Sequence, residues 1–145
     1  KFYNKAIDLL GKSTLPEADK ESMTTYSMGW RVYALVSNGE MDKAMPELEK
    51  YKQKIESRKN PAEEMDLNSL LGYIEIKKGN DDKAIDYFSK TNQLSPTNWY
   101  YTAVAYSKKG DRQNALKLFE KISKWNINDL NLALVRKRAM DELKK

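Results

Sequence analysis

The strongest constraint in the sequence is a short motif that recurs three times along the chain. The copies are Gly39–Ala44, Gly79–Ala84 and Gly110–Ala115, and each begins with Gly, continues with an acidic or amide residue and ends with Ala. The glycines lie 40 and 31 residues apart, which brackets the period of about 34 residues typical of paired-helix repeats. One helix pair is too small to bury its own apolar stripe, so this pattern predicts helix pairs that stack on their neighbours.

Apolar residues recur at helical spacing on both sides of each glycine. The glycine can adopt the left-handed conformation that ends one helix, and the Asp or Asn beside it can cap the next. Asn60-Pro61 and Ser95-Pro96 read as an N-cap followed by Pro at the first helical position. The sequence therefore predicts helices over 2–12, 17–38, 41–58, 61–78, 81–93, 96–109, 112–124 and 128–144.

The composition excludes most catalytic chemistry. The chain has 145 residues, enough for one domain, and contains neither Cys nor His. It therefore has no disulfide, no thiolate nucleophile, no histidine base and no Cys or His metal ligand. The adjacent pairs Glu63-Glu64 and Asp81-Asp82 point about 100° apart on a helix and suit first turns better than an acid/base dyad. We expect no enzyme activity, no cofactor and no metal, and no apolar run is long enough to span a membrane.

The positive charge of the chain is spread along its whole length. There are 26 basic and 21 acidic residues and the pI is near 9.2. Because the two signs are interleaved, the pattern favours a solvated helix surface over a phosphate-binding stripe. Nucleic-acid binding through this basic surface is kept as the weaker alternative function.

The spacing of glycine, alanine and aromatic residues in the second half of the chain resembles the tetratricopeptide repeat family. The positions that carry the resemblance are Leu71-Gly72, Gly79, Ala84, Phe88 and Pro96, followed by Trp99, Ala103, Tyr106, Gly110, Ala115 and Phe119. It implies an all-α fold, a right-handed α-solenoid of stacked antiparallel helix pairs in a single domain over 1–145. The repeats would be 17–58, 61–93 and 96–124, with a partial repeat over 1–12 and a capping helix over 128–144. The half-repeat start suggests a fragment of a longer array or a domain of a larger protein.

The first full repeat departs from the family pattern at two positions. Arg31 stands where the family has an apolar residue, and Pro46 lies within the second helix of the pair, where it should bend the helix. In the junctions between repeats, Ala44, Ala84 and Ala115 would let helices approach closely, with a Phe or Leu four residues later filling the gap.

In tetratricopeptide arrays the first helix of each pair lines a concave groove, and the resemblance implies the same arrangement here. The predicted partner-binding residues are Tyr26, Tyr33, Val36, Ser69, Tyr73, Lys77, Tyr100, Val104 and Lys108, with Asn131 and Arg138 from the last helix. Rigid tyrosines with cations at the rim suit peptide binding because ordering them costs little entropy. The competing interpretation is that several aromatics belong to the core, which we favour for Trp99 and Tyr106.

The predicted partner is a protein, bound as a peptide or a helix in this aromatic groove. It is not the acidic tail of a heat-shock chaperone, because Gly29, Tyr33, Leu70, Thr97 and Tyr101 occupy the positions where the family's clamp residues stand. An alternative is an accessory or oligomerisation array that positions a fused domain. The final helices look like those of bacterial tetratricopeptide proteins, and the compartment stays open between cytoplasm, periplasm and secretion.

Overall fold

The structure is a computed structural model that describes residues 2–127 and 129–145, with side chains from Lys5 onward. These residues form eight α-helices and no strand. The helices are α1 (Phe2–Gly11), α2 (Glu17–Ser37), α3 (Met41–Arg58), α4 (Pro61–Lys78), α5 (Asp81–Ser89), α6 (Pro96–Lys108), α7 (Arg112–Lys124) and α8 (Leu130–Glu142). The expected all-α helical-repeat fold is confirmed. The predicted start of the last helix at Asn128 lies outside the described residues.

The helices divide into two compact units, Lys1–Leu67 and Asn68–Lys145. In the first unit α2 packs against both α1 and α3. In the second unit α5 packs against α6, α6 against α7, and α8 against both α6 and α7. The helix α8 thus covers the last helix pair, as a capping helix would.

The three repeated glycines all follow a helix in the left-handed conformation. Their φ angles are 79° at Gly39, 80° at Gly79 and 80° at Gly110. A side chain at positive φ clashes with the backbone, so glycine is the residue that adopts it without strain. The turn predicted from the motif is therefore present in every copy.

The capping predictions are correct at three sites and wrong at one. Asn60 Oδ1 accepts from Ala62 N at 3.0 Å, Ser95 Oγ from Asn98 N at 3.4 Å, and Asp111 Oδ1 from Asn114 N at 3.2 Å. Asn80 instead donates its amide to Glu75 Oε2 at 2.8 Å. Because the side chain has this charged partner within reach, it does not cap α5.

The helix α5 is shorter than predicted, because it ends at Ser89 and not at residue 93. Side chains replace the helical hydrogen bonds beyond that point. Gln93 Nε2 donates to the carbonyls of Phe88, Ser89 and Thr91, and Thr91 Oγ1 also donates to the Phe88 carbonyl. These bonds satisfy the terminal carbonyls that a longer helix would have used.

A small residue and a large apolar residue form the buried junction of each helix pair. Ala44, Ala84 and Ala115 are at most 1% exposed. The residues four positions later, Leu48, Phe88 and Phe119, are at most 6% exposed. At Gly72 of α4, an added Cβ would lie 2.8 Å from the Phe88 ring. The burial expected at these motif positions is therefore confirmed.

In the first unit, the buried face of α2 consists of Thr25, Val32 and Val36. Arg31 lies beside that face, and its Nε is 3.4 Å from Glu47 Oε2 of α3. This ion pair accommodates the charged residue that departs from the family pattern. The helix α3 continues through Pro46 to Arg58.

Enlarging either alanine of the second unit should overpack its helix junction. We expect Ala84→Leu and Ala115→Leu each to reduce the free energy of unfolding by about 1–3 kcal/mol. Gln113→Leu places the same side chain at an exposed position of α7 and serves as the matched control. Urea unfolding followed by circular dichroism measures all three, and midpoints equal to the wild type in both Ala variants would contradict this packing.

Candidate partner-binding site

The predicted residues of the second unit lie on α4, α6 and α8. On α4, Ser69 accepts a hydrogen bond from Asn98 Nδ2 at 3.1 Å, which ties α4 to α6. Lys108 Nζ donates to the carbonyl of Ile76 at 3.3 Å and forms a second tie between these helices. These two predicted binding residues therefore hold α4 and α6 together.

Tyr73 lies deeper than a residue that binds a partner directly. Its side chain is 6% exposed, and its ring packs against Tyr101 with centroids 5.0 Å apart. Exposed Lys77 covers the same ring, with its Nζ 5.5 Å from the centroid. Val36 in the first unit is likewise buried, at 2% exposure. Tyr73 and Val36 contribute packing more than accessible surface.

Tyr100 and Arg138 come together between α6 and α8. Tyr100 is half-buried and packs against Phe119, with ring centroids 6.0 Å apart. Burial raises the pKa of its hydroxyl, and the nearby Arg138 guanidinium opposes that rise. Val104 is half-buried on the same helix, and Asn131 and Arg138 are exposed on α8.

Trp99 and Tyr106, the two aromatic residues predicted to belong to the core, lie on α6. Trp99 is 5% exposed and belongs to the core of the second unit, and Tyr106 packs against that core. Both therefore stabilise the stacked helices, as expected from the sequence.

In the first unit, α2 presents an aromatic ladder of Tyr26, Trp30 and Tyr33. Neighbouring rings meet edge to face, with centroids 6.0 Å apart for Tyr26–Trp30 and 5.6 Å apart for Trp30–Tyr33. Tyr26 is 56% exposed, Trp30 is 43% exposed and Tyr33 is half-buried. Tyr26 and Tyr33 were selected from the sequence, whereas Trp30 was missed. Its position midway between the two tyrosines was the available signal, because residues three and four apart share a helix face.

A cleft of about 430 Å³ begins at the Tyr26 end of this ladder. We call it the N-terminal cleft. Its lining residues are Ala6, Leu10, Ser22, Met23, Thr25, Tyr26, Ser27, Tyr51, Asn60, Glu63 and Asp66. One part of the wall is apolar and aromatic, and another part carries two carboxylates. None of these lining residues except Tyr26 was selected from the sequence, because they come from separate segments of the chain.

Arg58 joins three helices beside the cleft. Its Nε donates to both carboxylate oxygens of Glu63 at 2.9 and 2.8 Å, which links α3 to α4. Its Nη1 lies 2.7 Å from Glu21 and its Nη2 donates to Ser22 Oγ at 2.9 Å, which links α3 to α2. Lys54 also pairs with Glu21 at 2.5 Å. The carboxylates of Glu21 and Glu63 are therefore both neutralised by cations of α3.

Asp66 is the carboxylate of this region that lacks such a cation. Within the described part of the chain, it makes no ion pair and no side-chain hydrogen bond. Asp66 is an exposed residue, yet its surroundings desolvate the carboxylate enough to raise its pKa. The negative charge of Glu63 raises the pKa further. Both effects disfavour the ionised form of Asp66 in the folded chain.

Tyr51 is the second unusual polar group of the cleft. The side chain is 3% exposed, and its ring passes so close to α2 that a Cβ on Gly29 would lie 3.0 Å from Tyr51 Cζ. Burial raises the pKa of the Tyr51 hydroxyl, and the charges of Asp66 and Glu63 add to the rise. No hydrogen-bond partner of this hydroxyl occurs among the residues that the structure describes.

The described residues contain neither a cluster of metal-ligating side chains nor a membrane-spanning helix. Over 2–127 and 129–145 there is no group of three or more acidic side chains placed to hold a metal ion. No helix in those ranges is both long and apolar enough to cross a membrane.

Stacked helix pairs that meet through left-handed glycine turns define the class as a helical-repeat protein. Comparison with protein families identifies the repeats: residues 66–98 and residues 97–124 each match a model described as Tetratricopeptide repeat. Residues 66–124 of this chain therefore contain two tetratricopeptide repeats. No curated protein and no solved structure matches it significantly.

Removing the charge of Asp66 should stabilise the fold at neutral pH. The folded-state pKa of Asp66 is raised, so the ionised form opposes folding, and stability is lost as the pH rises through that pKa. We expect Asp66→Asn to raise the free energy of unfolding at pH 7 by less than about 1 kcal/mol, because water screens the exposed part of the group. The gain should fade below the ordinary aspartate pKa of 3.8, where both states are protonated.

Urea titrations at pH 7 and at pH 3 measure this difference. Glu49→Gln removes one negative charge at an exposed position of α3 and is the matched control. A midpoint for Asp66→Asn equal to that of Glu49→Gln at both pH values would contradict the raised pKa of Asp66.

Proposed function

We propose that this chain is a protein-interaction module that binds a peptide or helix of a partner protein on the exposed face of α2. The aromatic ladder of Tyr26, Trp30 and Tyr33 is the observation that carries the proposal. Tetratricopeptide repeats generally mediate protein–protein interaction, and the family matches make this class of function the one to test first.

The ladder has the physical properties of a binding surface. Trp and Tyr are enriched among the residues that dominate binding energy, because each offers a large rigid contact area for few rotatable bonds. Edge-to-face contacts hold the three rings in place before a partner arrives, which lowers the entropy lost on binding. Met23 is 50% exposed one turn before Tyr26 and extends the apolar surface. A partner segment would cover surface that folding alone leaves in water.

The second unit offers a separate face for the same role. Tyr100, Val104 and Lys108 follow one another at four-residue steps on α6. Asn131 and Arg138 on α8 would supply hydrogen bonds and positive charge at its rim. We propose this face as an independent contact surface. Ser69 and Lys77 would lie beside it on α4, and Tyr73 would support it from below.

The test uses peptide selection, because the fold does not specify which partner is bound. Phage-displayed random 12-residue peptides are selected on the immobilised chain, and enriched peptides are synthesised and measured by fluorescence anisotropy. We expect Trp30→Ala to weaken their binding by about thirtyfold, the loss typical of a central aromatic contact. Leu94→Ala removes an exposed apolar side chain from the second unit and should leave the affinity unchanged.

Circular dichroism must show equal helix content in both variants. Peptides that bind Trp30→Ala as tightly as the wild type would move the site away from α2, and Arg138→Ala would then test the face of the second unit. Failure to enrich any peptide would contradict the proposal.

A further inference from the structure

The N-terminal cleft combines three features that the aromatic ladder alone does not explain. It holds a carboxylate without a counter-ion and the hydroxyl of a buried tyrosine without a partner among the described residues, and it is bordered by an exposed aromatic ring. We propose that this cleft receives a lysine or arginine side chain of the partner polypeptide, with Asp66 as its counter-ion. The inference rests on the proposed function and specifies the chemistry of the partner.

Local charge complementarity identifies the occupant as a cation. Glu21, Glu63 and Asp66 contribute three negative charges, whereas Lys54 and Arg58 contribute two positive charges that are bound to Glu21 and Glu63. One further cation would neutralise the region. An incoming ammonium or guanidinium group would pair with the Asp66 carboxylate and compensate for its partial loss of hydration.

The Tyr51 hydroxyl points to the same occupant. The residue is 3% exposed and lines the cleft, and the charges that act on its hydroxyl come from Asp66, Glu63 and Tyr26, all of which also line it. The hydroxyl therefore faces the cleft, where its oxygen can accept a hydrogen bond from an N–H of the bound cation.

The aromatic wall suits the rest of such a side chain. The methylene stem of Lys or Arg packs on apolar surface while its head remains polar. Met23 and Leu10 supply that apolar surface, and Tyr26 supplies a ring face that also attracts a cation. Because Tyr26 belongs to both the cleft and the ladder, one partner segment can place a basic residue in the cleft and an apolar residue on Trp30.

If the bound peptides prefer a basic residue, long-range electrostatic attraction cannot be the cause, because the chain carries a net charge of +5. A cationic peptide is repelled by the protein as a whole, and the repulsion is screened at physiological salt. A preference for a basic residue at one fixed position of the peptide would therefore report a local contact.

The test continues from the peptides selected on the wild-type chain. We expect a Lys or Arg at one fixed position among the enriched sequences. A synthetic peptide with Lys there is then compared with the same peptide carrying norleucine, which keeps the apolar stem and lacks the charge. The norleucine peptide should bind the wild type about tenfold more weakly, as expected for a charged hydrogen bond that is partly shielded from water.

The variants localise the effect to the cleft. Asp66→Asn should bind the Lys peptide more weakly than the wild type does, so that the preference over the norleucine peptide falls well below tenfold and only the contribution of Tyr51 is left. Tyr51→Phe should show a smaller loss for the Lys peptide alone. Glu49→Gln is the control and should keep the full tenfold preference. Because Asp66→Asn is expected to be more stable than the wild type, unfolding cannot explain its loss of binding.

The outcomes separate this inference from the proposed function. Enriched peptides without a preferred basic position, or a lysine preference equal in Asp66→Asn and Glu49→Gln, would overturn the cationic occupant and leave the aromatic site intact. Absence of any enriched peptide would overturn both. A free polyamine, with spermidine as the probe, that binds the wild type in an Asp66-dependent way while no peptide does would replace the polypeptide occupant with a small molecule.

Discussion

Close approach of paired helices is the constraint on which the rest of this structure depends. A glycine at positive φ turns the chain, and the buried alanine that ends each motif allows the next helix to pack closely. A Leu or Phe one turn further fills the space beside it, and at Gly72 the ring of Phe88 reaches the helix backbone itself. Interiors of proteins are packed at crystal-like density, so these few positions leave little freedom in the geometry of each pair.

Because the stacking contacts are local and repeated, they could be predicted from the sequence. The turn glycines, the junction alanines and the helix ends near Pro or Gly follow from residue types at fixed spacing. The end of α5 could not be predicted in this way, because the side chains of Gln93 and Thr91 terminate the helix through hydrogen bonds to nearby carbonyls. Asn80 likewise bonds to Glu75 and leaves its own helix uncapped. Which of several possible hydrogen-bond partners a polar side chain takes depends on the three-dimensional geometry, and the spacing of residues along the sequence does not specify that geometry.

The candidate site was harder to predict than the fold. Tyr33 and Tyr73 each precede a repeat glycine by the same number of residues, yet Tyr33 joins the ladder on α2 whereas Tyr73 is covered by Tyr101 and Lys77. Whether an aromatic is buried depends on the neighbouring helix, whose sequence differs from one repeat to the next. The N-terminal cleft shows this most clearly, because the ring of Tyr51 fits only where Gly29 leaves room beside it. Its other walls come from segments far apart along the chain.

Asp66 illustrates how stability and binding can oppose each other in such a scaffold. Desolvation and the charge of Glu63 both disfavour the ionised form of this carboxylate in the folded chain. Natural proteins tolerate small losses of this kind, because selection removes only the variants whose net stability of about 5–15 kcal/mol falls below what function needs. In the proposed complex, a bound cation would pair with the Asp66 carboxylate and offset that loss. The hydroxyl oxygen of Tyr51 would accept a hydrogen bond from the same cation.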